Sequence, residues 1–133
     1  MATLAQIKLL INLAQADGAI GDLEKNYIIN IGRANQMYPD EVEPLFYQQH
    51  EVVVPDNLTN DQKFEYIFSL VQLMKVDERM YKPEIQFCSR IAVRLGYQQQ
   101  AMFDLLLHVR GEMMEHAEKD ALKQMMTKYL HPR

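Results

Sequence analysis

The sequence predicts an all-α fold, a single-domain bundle of about seven helices with an internal pseudo-two-fold duplication. Three observations carry that expectation. Gly and Pro, five of each in 133 residues, are scarce and sit between apolar-periodic segments. Within those segments, apolar residues recur at helical spacing. The chain also matches itself when slid by sixty residues.

The first helix is expected from about Thr3 to Ala16, with Leu4, Ile7, Leu10, Ile11 and Ala14 on one stripe and Gly18 as the left-handed residue that ends it. The second spans roughly Asp22 to Asn35, with Asp22 as N-cap and Leu23, Tyr27, Ile28, Ile31 and Ala34 facing inward. A shorter third helix follows Pro39 and carries Val42, Leu45 and Phe46, opened by Asp40 and Glu41 at its positive end. His50 to Leu58 is the one long connection, because the β-branched Val52, Val53 and Val54 precede Pro55. Thr59 and Gln62 have the spacing of a capping box. The fourth helix then runs to about Val76, and its apolar residues cover more than one face, which marks it as central. Pro83 starts the fifth, with Ile85, Cys88, Ile91, Ala92 and Leu95 inward and Gly96 at its end. Met102, Leu105, Leu106 and Val109 define the sixth; Met114, Ala117, Ala121, Leu122, Met125 and Tyr129 define the last.

The sixty-residue shift sets Leu10 on Leu70, Leu13 on Leu73, Asp17 on Asp77, Glu24 on Glu84, Tyr27 on Phe87, Ile31 on Ile91 and Leu45 on Leu105, without a gap. Two copies of a three-helix unit are expected, one over about 4–49 and the other over about 64–109, followed by a C-terminal helix over about 112–130. Each copy has an apolar face that packing against the other would bury.

Composition narrows the functional classes. A chain of this length buries enough surface to fold without a disulfide or metal. No apolar run approaches the roughly 20 residues of a membrane span, and Met1 to Leu10 lacks the pattern of a secretory signal, so a cytoplasmic location is expected. The net charge is −4. Residues 1–60 carry three Lys/Arg against eight Asp/Glu, whereas residues 61–133 carry eleven against ten. An acidic first half disfavours nucleic acid and anionic lipid and favours cations or a basic protein surface. The single cysteine, Cys88, lies among apolar residues and is expected buried.

The chemistry-bearing motif is a pair of acidic turns. The first reads Ala16-Asp17-Gly18-Ala19-Ile20-Gly21-Asp22-Leu23-Glu24, the second Val76-Asp77-Glu78-Arg79-Met80-Tyr81-Lys82-Pro83-Glu84. In each, Asp leaves one helix and Glu sits in the first turn of the next, where backbone N–H groups without helical partners favour a negative side chain. Ile20 or Met80 plugs the turn into the core. Two readings stay open: the Glu clamps the turn, or the carboxylates contribute oxygen ligands for a divalent cation such as Ca²⁺ or Mg²⁺. The segment is not an EF-hand loop, since Ile28 stands where the final Glu would be.

An A-D-G-x-I-x-x-x-E turn after an apolar helix, repeated less perfectly later, resembles the signature of the TerB-like family. That all-helical family includes bacterial tellurite-resistance proteins and a domain attached to some DnaJ-like co-chaperones. The resemblance covers about Leu4 to Leu106. It implies a non-enzymatic domain of the stress response whose acidic residues bind divalent cations, here Asp17, Glu24, Asp77 and Glu84. The second motif departs from the pattern at Glu78, where the glycine is missing, and at Pro83.

Signals for catalysis are poor. Ser69 and Ser89 lie inside expected helices, no glycine-rich phosphate loop occurs, and His50, His108, His116 and His131 have no zinc-ligand spacing. Glu112 and His116 share a helix face as an ordinary surface pair. No enzyme is expected. The partner expected is a protein, a second copy of the chain included, with Met113 or Met126, the outward members of two methionine doublets, or the Val52 to Val54 segment as contact.

Overall fold

The computed structural model describes residues 4–16, 18, 20–76, 82–110 and 114–130. Among these the chain is all-α: α1 (Leu4–Ala14), α2 (Asp22–Ala34), α3 (Pro39–Val42), α4 (Asn60–Lys75), α5 (Lys82–Arg94), α6 (Gln100–His108) and α7 (His116–Thr127). The third expected helix divides into α3 and a 3₁₀ helix at Glu43–Tyr47. Pro44, which offers no N–H for the next α-helical bond, explains the change. The only strand-like pairing among the described residues is an isolated bridge between Tyr97 and Leu130. No described helix is long and apolar enough to cross a membrane.

Two helices form the centre. Residues of α1 (Ile7, Leu9, Leu10, Ile11, Leu13, Ala14) and of α4 (Phe64, Ile67, Leu70, Val71, Leu73, Met74) are buried on nearly every side. A helix that is apolar all round must be enclosed by others. Here α1 packs on α4, α2 and α5 each touch both central helices, and α6 and α7 lie against α4.

Helix ends follow from the residues. Thr59 and Gln62 form the expected reciprocal box, with Gln62 N–H donating to Thr59 Oγ1 at 3.1 Å and Thr59 N–H to Gln62 Oε1 at 2.9 Å. Gly18 adopts φ +101° after α1, the left-handed conformation expected of it. The ends of α2 and α5 share one device. Tyr97 N–H reaches Ala92 O and Gly96 N–H reaches Val93 O; Met37 N–H reaches Gly32 O and Gln36 N–H reaches Arg33 O. Both are Schellman motifs, with Gly96 (φ +98°) and Gln36 (φ +68°) in the left-handed position.

Several expectations need correction. Gly21, not Asp22, is the N-cap of α2. The buried line of α2 is Glu24, Ile28 and Gly32, while Leu23 is 55% exposed and Ala34 is exposed. Gly32 sits inside α2 rather than between helices because a Cβ there would stand 2.9 Å from Val42 Cγ2. The last helix starts at His116, later than expected, and its stripe is turned by about one residue. Leu122 and Met126 are buried and Ala117 and Ala121 exposed, so Met126 is core and no outward contact. Met113 and Glu112 lie outside the described residues. Cys88 is fully buried, as expected, and burial pushes its thiol pKa up.

Contacts recur at the sixty-residue interval. Asn12 Nδ2 donates to His50 O at 2.9 Å, and Gln72 Nε2 donates to Arg110 O at 3.2 Å. Gln15 Nε2 lies 3.5 Å from Phe46 O, and the Lys75 ammonium donates to Leu106 O. Each pair ties a central helix to a segment later in the chain.

Candidate functional site

The first acidic turn is held from within. Gly21 N–H donates to Glu24 Oε1 at 3.1 Å, and Glu24 is buried although it is an acidic side chain. Gly21 leaves room for this approach, since a Cβ there would stand 3.3 Å from the same oxygen. Ile20 packs partly buried against the core, and Asp22 is exposed in the first turn. Glu84 occupies the corresponding third position of α5, is 2% exposed, and adds its charge to burial in raising the Cys88 thiol. Asp17 and Asp77 lie outside the described residues, so the structure describes only Glu24 and Glu84 of the four expected ligands.

The posture of Glu24 is also general. Glu41 accepts from Tyr38 N–H, Gln62 from Thr59 N–H and Glu118 from Glu115 N–H, each at the third position of its helix. A side chain folded back on the N-cap N–H is thus the chain's ordinary way of starting a helix.

Beside the first turn lies a shallow cleft of about 360 Å³ lined by Gln15, Gly18, Ile20, Asp22, Lys25, Phe46 and Tyr47. A cation already borders it: Lys25 Nζ is 3.1 Å from Glu43 Oε1 and stands over the Phe46 and Tyr47 rings at 5.6 and 5.7 Å. The hydrogen bond to Glu43 raises the Lys25 pKa, which holds that charge in place. Among the described residues no three His, Cys, Asp or Glu side chains gather where they could hold a metal ion.

A second site was not anticipated from the sequence. Gln6 of α1, Tyr27 and Ile31 of α2, Asn35 just after it, Glu65, Phe68, Ser69 and Gln72 of α4 and Lys119 of α7 line a polar cavity of about 120 Å³. Its floor is fixed by hydrogen bonds. Gln6 Nε2 donates to Ser69 Oγ at 3.0 Å, Ser69 Oγ to Tyr66 O at 3.0 Å, and Tyr27 OH to Gln72 Oε1 at 2.8 Å. At its rim Lys119 Nζ lies 2.9 Å from Glu65 Oε2 and 4.9 Å from the Phe68 ring centre. Burial, and secondarily the Glu65 charge, pushes the Tyr27 phenol pKa up, so Tyr27 stays a neutral donor. Its seven polar side chains, spread over four helices and Asn35, give no local pattern to find. Only the near-continuous burial around α4, which places Ser69 and Gln72 inside, hinted at a polar interior.

Among the described residues, neither place has the parts of a hydrolytic centre. The Ser69 hydroxyl is committed to a backbone carbonyl, and the cavity holds a single carboxylate already paired with Lys119. His116 faces Asp120 at 3.3 Å on the exposed side of α7. Val52 and Val53 are exposed, and Val53 borders an open groove of about 600 Å³ with Leu4 and Lys8. Compared with protein-family models, with curated proteins and with solved structures, the chain matches none.

Proposed function

We propose that the chain is a non-enzymatic, TerB-like helical interaction module, formed by duplication of a three-helix unit, in which Glu24 and Glu84 clamp the turns that set the helix angles. The observation that carries this reading is the buried Glu24 carboxylate bonded to Gly21 N–H. A carboxylate spent on its own backbone has less to offer a cation than one facing solvent, and Lys25 adds positive charge nearby. The TerB-like assignment and its link to tellurite and stress response rest on the motif resemblance. The hydrogen bonds that recur at sixty-residue spacing support the duplication.

The cation reading, in which Asp17 and Asp77 join Glu24 and Glu84 around Ca²⁺ or Mg²⁺, is separated from the clamp by calorimetric titration. The clamp predicts no saturable heat with Ca²⁺, Mg²⁺, Mn²⁺ or Zn²⁺. Saturable binding that disappears in both Asp17→Asn and Glu24→Gln would overturn it.

A further inference from the structure

The polar cavity between α1, α2, α4 and α7 goes beyond the acidic turns, and its lining specifies a ligand class. Three of its side chains, Gln6, Ser69 and Gln72, are more than nine-tenths buried polar groups held in fixed orientations by the bonds described above. Their bonds to one another and to the backbone fix the shape and the polarity of the cavity wall. At about 120 Å³ the space is below the usual range for drug-sized ligands and suits a molecule of only a few heavy atoms.

Charge narrows the class further. The two ionic groups at the rim, Glu65 and Lys119, oppose each other, and both remain partly open, with side chains 41% and 31% exposed. A lone anion drawn to Lys119 meets the Glu65 carboxylate at 2.9 Å from the ammonium, and a lone cation drawn to Glu65 meets Lys119. A molecule carrying both charges satisfies both. An ammonium has three donors and a carboxylate about four acceptor sites, so the pair can bind a second, antiparallel ion pair while keeping its own contact. Ile31 and Phe68 leave an apolar wall for a short side chain.

We infer that this cavity is a binding site for a small zwitterion of the α-amino acid type, its carboxylate on Lys119, its ammonium on Glu65 and its side chain against Ile31 and Phe68. Because Lys119 alone comes from α7, such a ligand bridges the last helix to the core.

The test is an NMR titration of the full chain with L-alanine, with propionate and ethylamine as analogues that each keep one charge. The expected result is saturable shifts at Tyr27, Ser69 and Gln72 with alanine, and binding of either analogue weaker by at least about tenfold. Lys119→Gln and Glu65→Gln should each weaken alanine by a similar factor. Lys123→Gln serves as control, because Lys123 joins the same two helices through Asp61 at 3.5 Å yet lies outside the cavity lining. It should leave alanine binding unchanged. Absence of saturation by alanine at roughly tens of millimolar, equal binding of a singly charged analogue, or equal losses in the control variant would each overturn the proposal.

Discussion

Gln72 and Asn12 make the same bond sixty residues apart, each amide nitrogen donating to a backbone carbonyl 38 residues further on, Arg110 O and His50 O. Their amide oxygens differ. Gln72 Oε1 accepts from Tyr27 OH, whereas Asn12 Oδ1 is buried and has no partner among the described residues. The position corresponding to Tyr27 is Phe87, buried and without a hydroxyl.

In the proposed duplication, that mismatch is repairable. Phe87→Tyr should supply the missing donor and raise stability by roughly 1 kcal/mol, read as a higher urea midpoint at constant slope. Tyr27→Phe should cost about 1–3 kcal/mol because it strands Gln72 Oε1. A double-mutant cycle with Asn12→Ala assigns the gain, which should vanish when Asn12 is gone. A Phe87→Tyr variant less stable than the parent would mean that the two halves are not equivalent around these residues.

The paired Schellman motifs predict opposite effects of glycine. Gln36 holds φ +68° at a cost of about 1–2 kcal/mol for a side chain in left-handed conformation. Gln36→Gly should therefore stabilise, by roughly 0.5–1 kcal/mol after the added flexibility of the unfolded chain is subtracted. Gly96→Ala should destabilise by about 1 kcal/mol or more, since the strain is in the backbone and the nearest atom to an added Cβ is Lys63 Nζ at 3.7 Å. Thermal melting of the two variants measures both signs.

For the turn clamp, Glu24→Ala should cost about 0.5–2 kcal/mol, because it removes the acceptor of Gly21 N–H at the start of α2. Glu24→Gln keeps an oxygen in place and should recover most of the loss. Hydrogen exchange at the Gly21 amide provides the local readout: faster in the alanine variant, nearly unchanged in the glutamine one. If the glutamine variant were as unstable as the alanine one, charge rather than the hydrogen bond would be the important quantity.

These residues also show what a sequence exposes. The Thr59 box, the left-handed Gly18 and the enclosed α4 were legible because each depends on neighbours within one helix turn. The inward line of α2 was misread because apolar counting passes over Glu24, a charged residue whose partner is the backbone three residues earlier. The stripe of α7 was misread because small alanines carry little burial and two adjacent methionines fit either phase; with α7 packed on α4 and α6, Met126 is the one fully buried. The cavity depends on which faces of four helices converge, and Gln6, Tyr27, Glu65 and Lys119 are individually unremarkable surface types. Tertiary adjacency, not local pattern, creates that site.

Alkaline pH tests the burial of three acidic protons. Burial raises the pKa of Cys88, Tyr27 and Tyr97 above ordinary values of 9.0, 10.0 and 10.0, helped by Glu84 at Cys88 and by Glu65 at Tyr27. Above those ordinary values the unfolded chain releases the protons while the folded chain keeps them. The folded state then binds more protons, so stability falls as pH rises, by up to about 1.4 kcal/mol per pH unit for each group fully released. Lys75 works the other way. Burial lowers its pKa, so just below its ordinary 10.5 the unfolded chain holds the extra proton and stability there gains with pH. Tyr129, raised by its hydrogen bond to Asp104, and Lys25, raised by its hydrogen bond to Glu43, act in the same direction as the first three, so five groups against one leave a net decline that begins near pH 9 with Cys88 and steepens near pH 10 with the tyrosines. Urea denaturation at a series of pH values should show that two-step fall, and Cys88→Ala should flatten the first step while shifting the whole curve down through its small cavity. A stability that stayed level to pH 10.5 in the parent would show that the Cys88 thiol and the two phenols reach solvent in the folded protein.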